Sequence, residues 1–193
     1  SEGQVLVSGT DVNDWDQAEL RSRIGWVPQK AVLFSGTLRE NMKWSDPDAS
    51  DDEIIAALKT AQAWEFVEHM PDGLDTLITQ GGKNLSGGQK QRISIARALV
   101  GAPEILILDD STSALDYATD LKLRQALKKD MTDTTVIMIS QRTTSLKDAD
   151  KIIVLDDGET AGIGTHNELL GSCDIYREIY RSQMNEKEGA ANV

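Results

Sequence analysis

The sequence predicts an α/β domain with a parallel core sheet, and two apolar runs with a helix between them carry that reading. Ile105-Leu106-Ile107-Leu108 and Val136-Ile137-Met138-Ile139 lack the alternation of a half-exposed strand, and Leu123, Ala126 and Leu127 mark a helix between them. That is the pattern of a βαβ unit in a covered sheet. A third run, Ile24-Gly25-Trp26-Val27, stops at Pro28, which cannot donate to a ladder and restricts the residue before it.

Taken in order, residues 4–7 (Gln-Val-Leu-Val) read as a short strand turning at Ser8-Gly9-Thr10-Asp11, and 18–23 as a short helix. Gln29 opens a loop behind Pro28. Ser50 followed by Glu53 is a capping box, and Ile54, Leu58 and Ala61 place a helix over 51–62. Ser86 with Gln89 is a second capping box, opening a helix rich in Ile93, Ala96, Leu99 and Val100 that ends near Gly101 and Pro103. Beyond the βαβ unit, 152–155 and 160–163 flank Asp156-Asp157-Gly158-Glu159 as a hairpin whose turn needs positive φ. Helices over 166–170 and 174–184 close the domain, and 185–193, polar or small throughout, is expected to be a flexible tail.

A chain of 193 residues with 39% apolar content suits one hydrophobic core. Its net charge of -12 opposes binding to nucleic acid or to an anionic membrane. Cys173 is the only cysteine and His69 and His166 the only histidines, a set too sparse for a Cys/His metal cluster and suited to a reduced, cytosolic setting. No apolar run approaches the roughly 20 residues that cross a bilayer. Trp15, Trp26, Trp44 and Trp64 are too dispersed along the chain for a stacking platform.

Ligands of open α/β sheets sit beyond the carboxyl ends of the strands, where Asp109 and Asp110 fall. Two adjacent acids there suit a magnesium nucleotide; by position alone they serve equally to end a strand and cap a helix. Leu85-Ser86-Gly87-Gly88-Gln89 sets two residues without Cβ in the first turn of a helix, where free N–H groups and the dipole approach phosphate closely. Alone, it is also an ordinary capping box with glycines.

The order of Gln29, residues 85–89, the 105–109 strand with its acid, and Ser113-Ala114-Leu115-Asp116 resembles the ATP-binding cassette (ABC) transporter family. These stretches match the family's Gln loop, signature, Walker B strand and D-loop. The resemblance reaches to about Tyr180, and Leu33-Phe34-Ser35-Gly36-Thr37-Leu38-Arg39-Glu40-Asn41 looks like the multidrug-exporter branch. It implies a P-loop NTPase-like parallel core sheet, a small antiparallel portion, and a helical subdomain over about 45–100 presenting the signature, within a domain spanning 1–184.

The same resemblance implies ATP and Mg2+ as cofactors. Asp109 would hold the metal through water, and Gln29 would join the metal to the attacking water. Ser86, Gly87, Gly88 and Gln89 would grip the γ-phosphate of ATP bound to an opposite domain, with Asp116 also among the nucleotide contacts. The implied partners are a second nucleotide-binding domain and a transmembrane domain whose coupling helices touch segment 33–41, at the cytoplasmic face of the cell membrane.

Three departures from the family stand out. No Gly-x-x-x-x-Gly-Lys-Ser/Thr string occurs, and Gly81-Gly82-Lys83-Asn84 lacks both hydroxyl and spacing. The expected reason is a sequence that begins after the P-loop, which leaves out a middle strand of the sheet and makes the chain by itself inactive and unstable. Asp110 stands where a glutamate polarises the attacking water, one methylene shorter. Gln141 stands where the family has its switch histidine, and an amide cannot carry an imidazole's charge. With Asp110 and Gln141 as the catalytic candidates, the pattern resembles the degenerate-site half of a heterodimeric exporter, whose intact signature completes a partner's site. A non-catalytic nucleotide-sensing half and a soluble cassette ATPase are the competing expectations.

Overall fold

The computed structural model describes residues 3–191, with side chains described through residue 184. The chain divides into two units, one ending at Ile139 and the other beginning at Ser140.

In the first unit, β1 (Leu6–Val7) turns through Ser8 and Gly9, both at positive φ, into the antiparallel β2 (Thr10–Asp11). Thr10 and Asp11 are therefore a returning strand rather than part of the turn. Asp16 caps α1 (Gln17–Ser22) by accepting the Ala18 and Glu19 N–H groups. The chain continues through β3 (Ile24–Val27), β4 (Gly36–Thr37) and α2 (Leu38–Met42). Next come α3 (Asp51–Thr60), α4 (Trp64–Val67) and β5 (Leu77–Ile78), the last pairing with β4. Then follow α5 (Gly87–Leu99), β6 (Ile105–Asp109), α6 (Tyr117–Asp130) and β7 (Thr135–Ile139).

Capping boxes start α2, α3 and α5: Thr37 with Glu40, Ser50 with Glu53, and Ser86 with Gln89. Each satisfies two otherwise free N–H groups at a helix start. Helix α5 stops where Gly101 and Ala102 turn the chain at φ of 88° and 46°.

The parallel sheet runs β3-β6-β7, with β6 central, Val27 opposite Leu108 and Asp109 opposite Ile139. Val27, Leu106 and Leu108 share one core with Ile93 and Ala96 of α5 and Leu123 and Leu127 of α6. Gly25 lies on this face because α5 leaves no room for more: an added Cβ would sit 2.5 Å from the Ala98 carbonyl oxygen. The opposite face is open, with Trp26 61%, Ile137 46% and Ile139 51% exposed. The expectation of a covered sheet thus holds for one face; the apolar runs carry side chains for two buried faces, and the described elements cover one.

The second unit contains α7 (Thr143–Leu146), β8 (Ile152–Asp156), β9 (Glu159–Gly164), α8 (His166–Ser172) and α9 (Asp174–Ala191). Asp157 and Gly158 turn the β8-β9 hairpin, both at positive φ, as a tight two-residue turn requires. Ile152, Val154, Leu169, Cys173 and Tyr176 form its core. The last helix does not end at 184 as expected; the segment foreseen as a flexible tail is helical through Ala191, and 192–193 lie outside the described residues. Glu186, Lys187, Glu188, Ala190 and Ala191 explain the extension, being strong helix formers. Among the described residues no helix is long and apolar enough to cross a membrane.

Gly25→Ala tests the packing of α5 on the sheet. The obstructing atom is backbone, so the strand must shift, and chemical denaturation should show a loss of about 1–3 kcal/mol.

Candidate functional site

Because Val27 pairs with Leu108, the two strands release the chain side by side, Gln29 beside Asp110. The Gln29 Nε2 donates to Asp110 Oδ2 at 3.2 Å. Asp110 holds a left-handed conformation at φ 41°. Its N–H donates to the Ile139 carbonyl at 2.9 Å, and its own carbonyl accepts the Ser113 hydroxyl at 2.8 Å. Such a backbone costs an L-residue on the order of 1–3 kcal/mol, and Asp tolerates it better than most.

Asp109, half-buried at the end of β6, completes a patch of two carboxylates and one amide at the carboxyl edge of the sheet. These are hard oxygen donors in the number with which proteins hold Mg2+ when phosphates and water supply the rest of its shell, so the set fits that ion.

At the start of α5, Ser86 Oγ accepts the Gln89 N–H at 3.2 Å and Gln89 Oε1 accepts the Ser86 N–H at 2.9 Å. Ser86 and Gly87 are exposed, and a Cβ on Gly87 would meet nothing within 4 Å. The helix start is thus a bare backbone surface that a phosphate can approach. A Cβ on Gly88 would lie 3.4 Å from the Ala114 carbonyl oxygen, so the 86–89 turn abuts segment 113–116.

Two other sequence candidates have local work. Asp116 caps α6, accepting the Thr119 hydroxyl at 2.7 Å and its N–H at 3.0 Å. Gln141 lies in the second unit, exposed, its carbonyl accepting from Gln183 Nε2 at 2.7 Å. The structure therefore joins Gln29 to Asp110 and the 86–89 turn to segment 113–116, while Gln141 is placed only within its own unit. Gly81 and Gly82 serve a tight turn at φ of 68° and 63°, and Gly82 is packed against Leu33 and Lys90.

Sequence reasoning missed a cleft of about 280 Å³ lined by Trp26, Phe34, Trp44, Ser45 and Arg97. The Phe34 and Trp44 rings stack with centroids 4.5 Å apart. Tryptophans dispersed along the chain are here brought together; their spacing carried no signal, and the apolar Val32-Leu33-Phe34 in a loop was the available one.

A parallel sheet bearing an acid pair at its carboxyl edge, with a glycine-rich helix start alongside segment 113–116, is an α/β arrangement suited to a nucleotide. A family model described as "ABC transporter" matches residues 1–113. The chain is 48% identical to the uncharacterized ABC transporter ATP-binding protein YfiB of Bacillus subtilis, covering 97% of this chain and 32% of that protein. It is 41% identical to the ATP-dependent lipid A-core flippase of Alcanivorax borkumensis, over 96% of this chain and 32% of the relative. The structure of a bacterial Atm1-family ABC exporter with ATP bound aligns at a TM-score of 0.90 and 39% identity, covering 95% of this chain and 32% of the other. The chain belongs to the ABC transporter family, as a nucleotide-binding domain with exporters among its relatives, and it spans about a third of the length of these proteins.

Hydrogen bonds from the Thr119 hydroxyl and N–H hold the Asp116 carboxyl below its ordinary 3.8. A depressed carboxylate pKa adds stability that is complete above the unfolded value and lost as pH falls through the folded one. Thr119→Val should bring the Asp116 pKa back toward 3.8, read by NMR titration of the carboxyl carbon.

Proposed function

We propose that this domain binds MgATP and, paired with a second nucleotide-binding domain, helps hydrolyse it to drive export through a transmembrane partner at the cytoplasmic face of the cell membrane. The observation that carries the reading is the Gln29–Asp110 contact at the carboxyl edge of adjacent parallel strands. Phosphoryl transfer of this kind needs positioning and charge stabilisation rather than a covalent nucleophile. When bound, Mg2+ supplies positive charge against the phosphate oxygens. Asp109 would hold the ion through water, Gln29 would join it to the attacking water, and Asp110 would accept from that water.

Ser86, Gly87, Gly88 and Gln89 are assigned to the γ-phosphate in the opposite domain's site, and Asp116 to the nucleotide contacts there. The exposed helix start and the empty space over Gly87 support that assignment. The cleft of Trp26, Phe34 and Trp44, beside segment 33–41, is assigned to the transmembrane partner. Exposed aromatic side chains around one hollow are the usual makings of a docking surface.

Asp110 and Gln141 make this chain's own site the weaker of two. The shorter Asp110 carboxylate sets back the water it polarises, and a misplacement of about 1 Å costs on the order of 10²-fold in rate. We therefore assign the chain to a heterodimer in which its signature completes the stronger site. Asp110 already engaged by Gln29 favours one further reading, a half that holds nucleotide without cleaving it and regulates its partner.

Ser86→Arg in the full-length transporter fills the space over the helix start; ATP turnover should fall at least about 10²-fold. Unchanged turnover would remove the signature from the reaction. Asp110→Glu should raise single-site turnover, measured with the opposite site disabled, while a sensing half would show no gain.

A further inference from the structure

Segment 28–34, which carries Gln29, contains no helix or strand, so neighbouring side chains must fix its position. Asn41 holds the far end. Its Oδ1 accepts the Phe34 N–H and its Nδ2 donates to the Phe34 carbonyl, both at 2.9 Å. Helix α5 holds the near end at two points. Gln91, only 3% exposed, sets its Nε2 3.5 Å from the Pro28 carbonyl oxygen. Arg97 donates Nη2 to the Val32 carbonyl at 3.0 Å. Between those two carbonyls lie Gln29, Lys30 and Ala31.

Arg97 is a poor choice for mere filling. Its Nη1 is buried without a hydrogen-bond partner, and among the described residues no carboxylate pairs with it. Its guanidinium lies over the Phe34 ring at 5.5 Å. Burial pushes its pKa down from the ordinary value, the mark of a charge held out of water. A hydrocarbon of similar volume would occupy the place at lower cost. Half-exposed Val32 could also leave its carbonyl to solvent. What arginine adds, and methionine could not, is a directed bond that fixes the segment three residues from Gln29.

We propose that Arg97, assisted by Gln91, is a positioning residue for Gln29: the signature helix braces segment 28–32 so that the Gln29 amide stays on Asp110. The proposal rests on Gln29 acting in ATP hydrolysis as read above. One thirteen-residue helix then carries the 86–89 phosphate contact at its start and both braces along its length. A displacement of that helix moves Gln29 with it.

The test is steady-state ATP turnover of the full-length, assembled transporter with the opposite site disabled, comparing wild type, Gln29→Ala, Arg97→Met and the double variant. Arg97→Met should lower kcat on the order of 10-fold with KM for ATP changed less than about twofold. Its thermal melting point should hold or rise, because a half-buried charge with no carboxylate partner is gone. In the double variant the Arg97 change should add nothing to Gln29→Ala, since both act through one side chain. Arg97→Lys keeps a donor in place and should recover part of the lost kcat, which guards against a misfolded methionine variant. Multiplying effects in the double variant, a rise in KM alone, or no loss in Arg97→Met would each overturn the positioning role while leaving the Gln29 reading intact. If Gln29→Ala itself leaves turnover unchanged, the reading of Gln29 falls, and the proposal with it.

Discussion

Val27 opposite Leu108 is the pairing on which the rest of the molecule turns. Parallel strands in this register deliver the residues after them to the same edge, so Pro28 and Gln29 emerge level with Asp109 and Asp110. A slip of one residue would reverse every side chain along β3, putting Trp26 in the core and Val27 in solvent, and would part Gln29 from Asp110. The core enforces the register because one face is buried and the other is not. Gly25, Val27, Leu106 and Leu108 all lie on the buried side. Packing and chemistry are here set by a single choice.

Helix α5 joins the remaining parts. Its first turn presents bare backbone, its middle buries Ile93, Ile95 and Ala96 in the core, and Gln91 and Arg97 reach the segment after β3. Arg92 reaches the other way, its Nη1 donating to the Gln62 carbonyl at 2.7 Å just beyond α3. The helix is therefore tied to the sheet by hydrocarbon and to two loops by directed bonds. Rigid core and polar struts are divided along one element.

Much of this was legible in the sequence because it rests on local rules. The parallel β6-β7 pair followed from two unbroken apolar runs with a helix between them, and Ser50 with Glu53 and Ser86 with Gln89 followed from capping chemistry. Thr37 with Glu40 offers the same signal at α2, hidden because only a two-residue strand precedes it and only five residues of helix follow. The β4-β5 pair was invisible, being two residues a side and held by contacts far apart in sequence. Within the site, acids at a strand end and glycines at a helix start were readable by type and place. The roles of Gln91 and Arg97 were not, since a buried amide and an unpaired guanidinium show themselves only against their neighbours. The cleft escaped for the same reason: Trp26 and Trp44 belong to different elements, and chain folding alone brings them together.

That cleft has a practical optical consequence. Trp26 and Trp44 are 61% and 68% exposed on its walls, whereas Trp15 lies under the Arg23 guanidinium at 4.7 Å. Indole emission depends on the polarity around the ring, so the water-facing pair reports on whatever covers the hollow. The protein carries a native fluorophore in the cleft proposed for its partner, and a blue shift in its emission would record occupancy without any label.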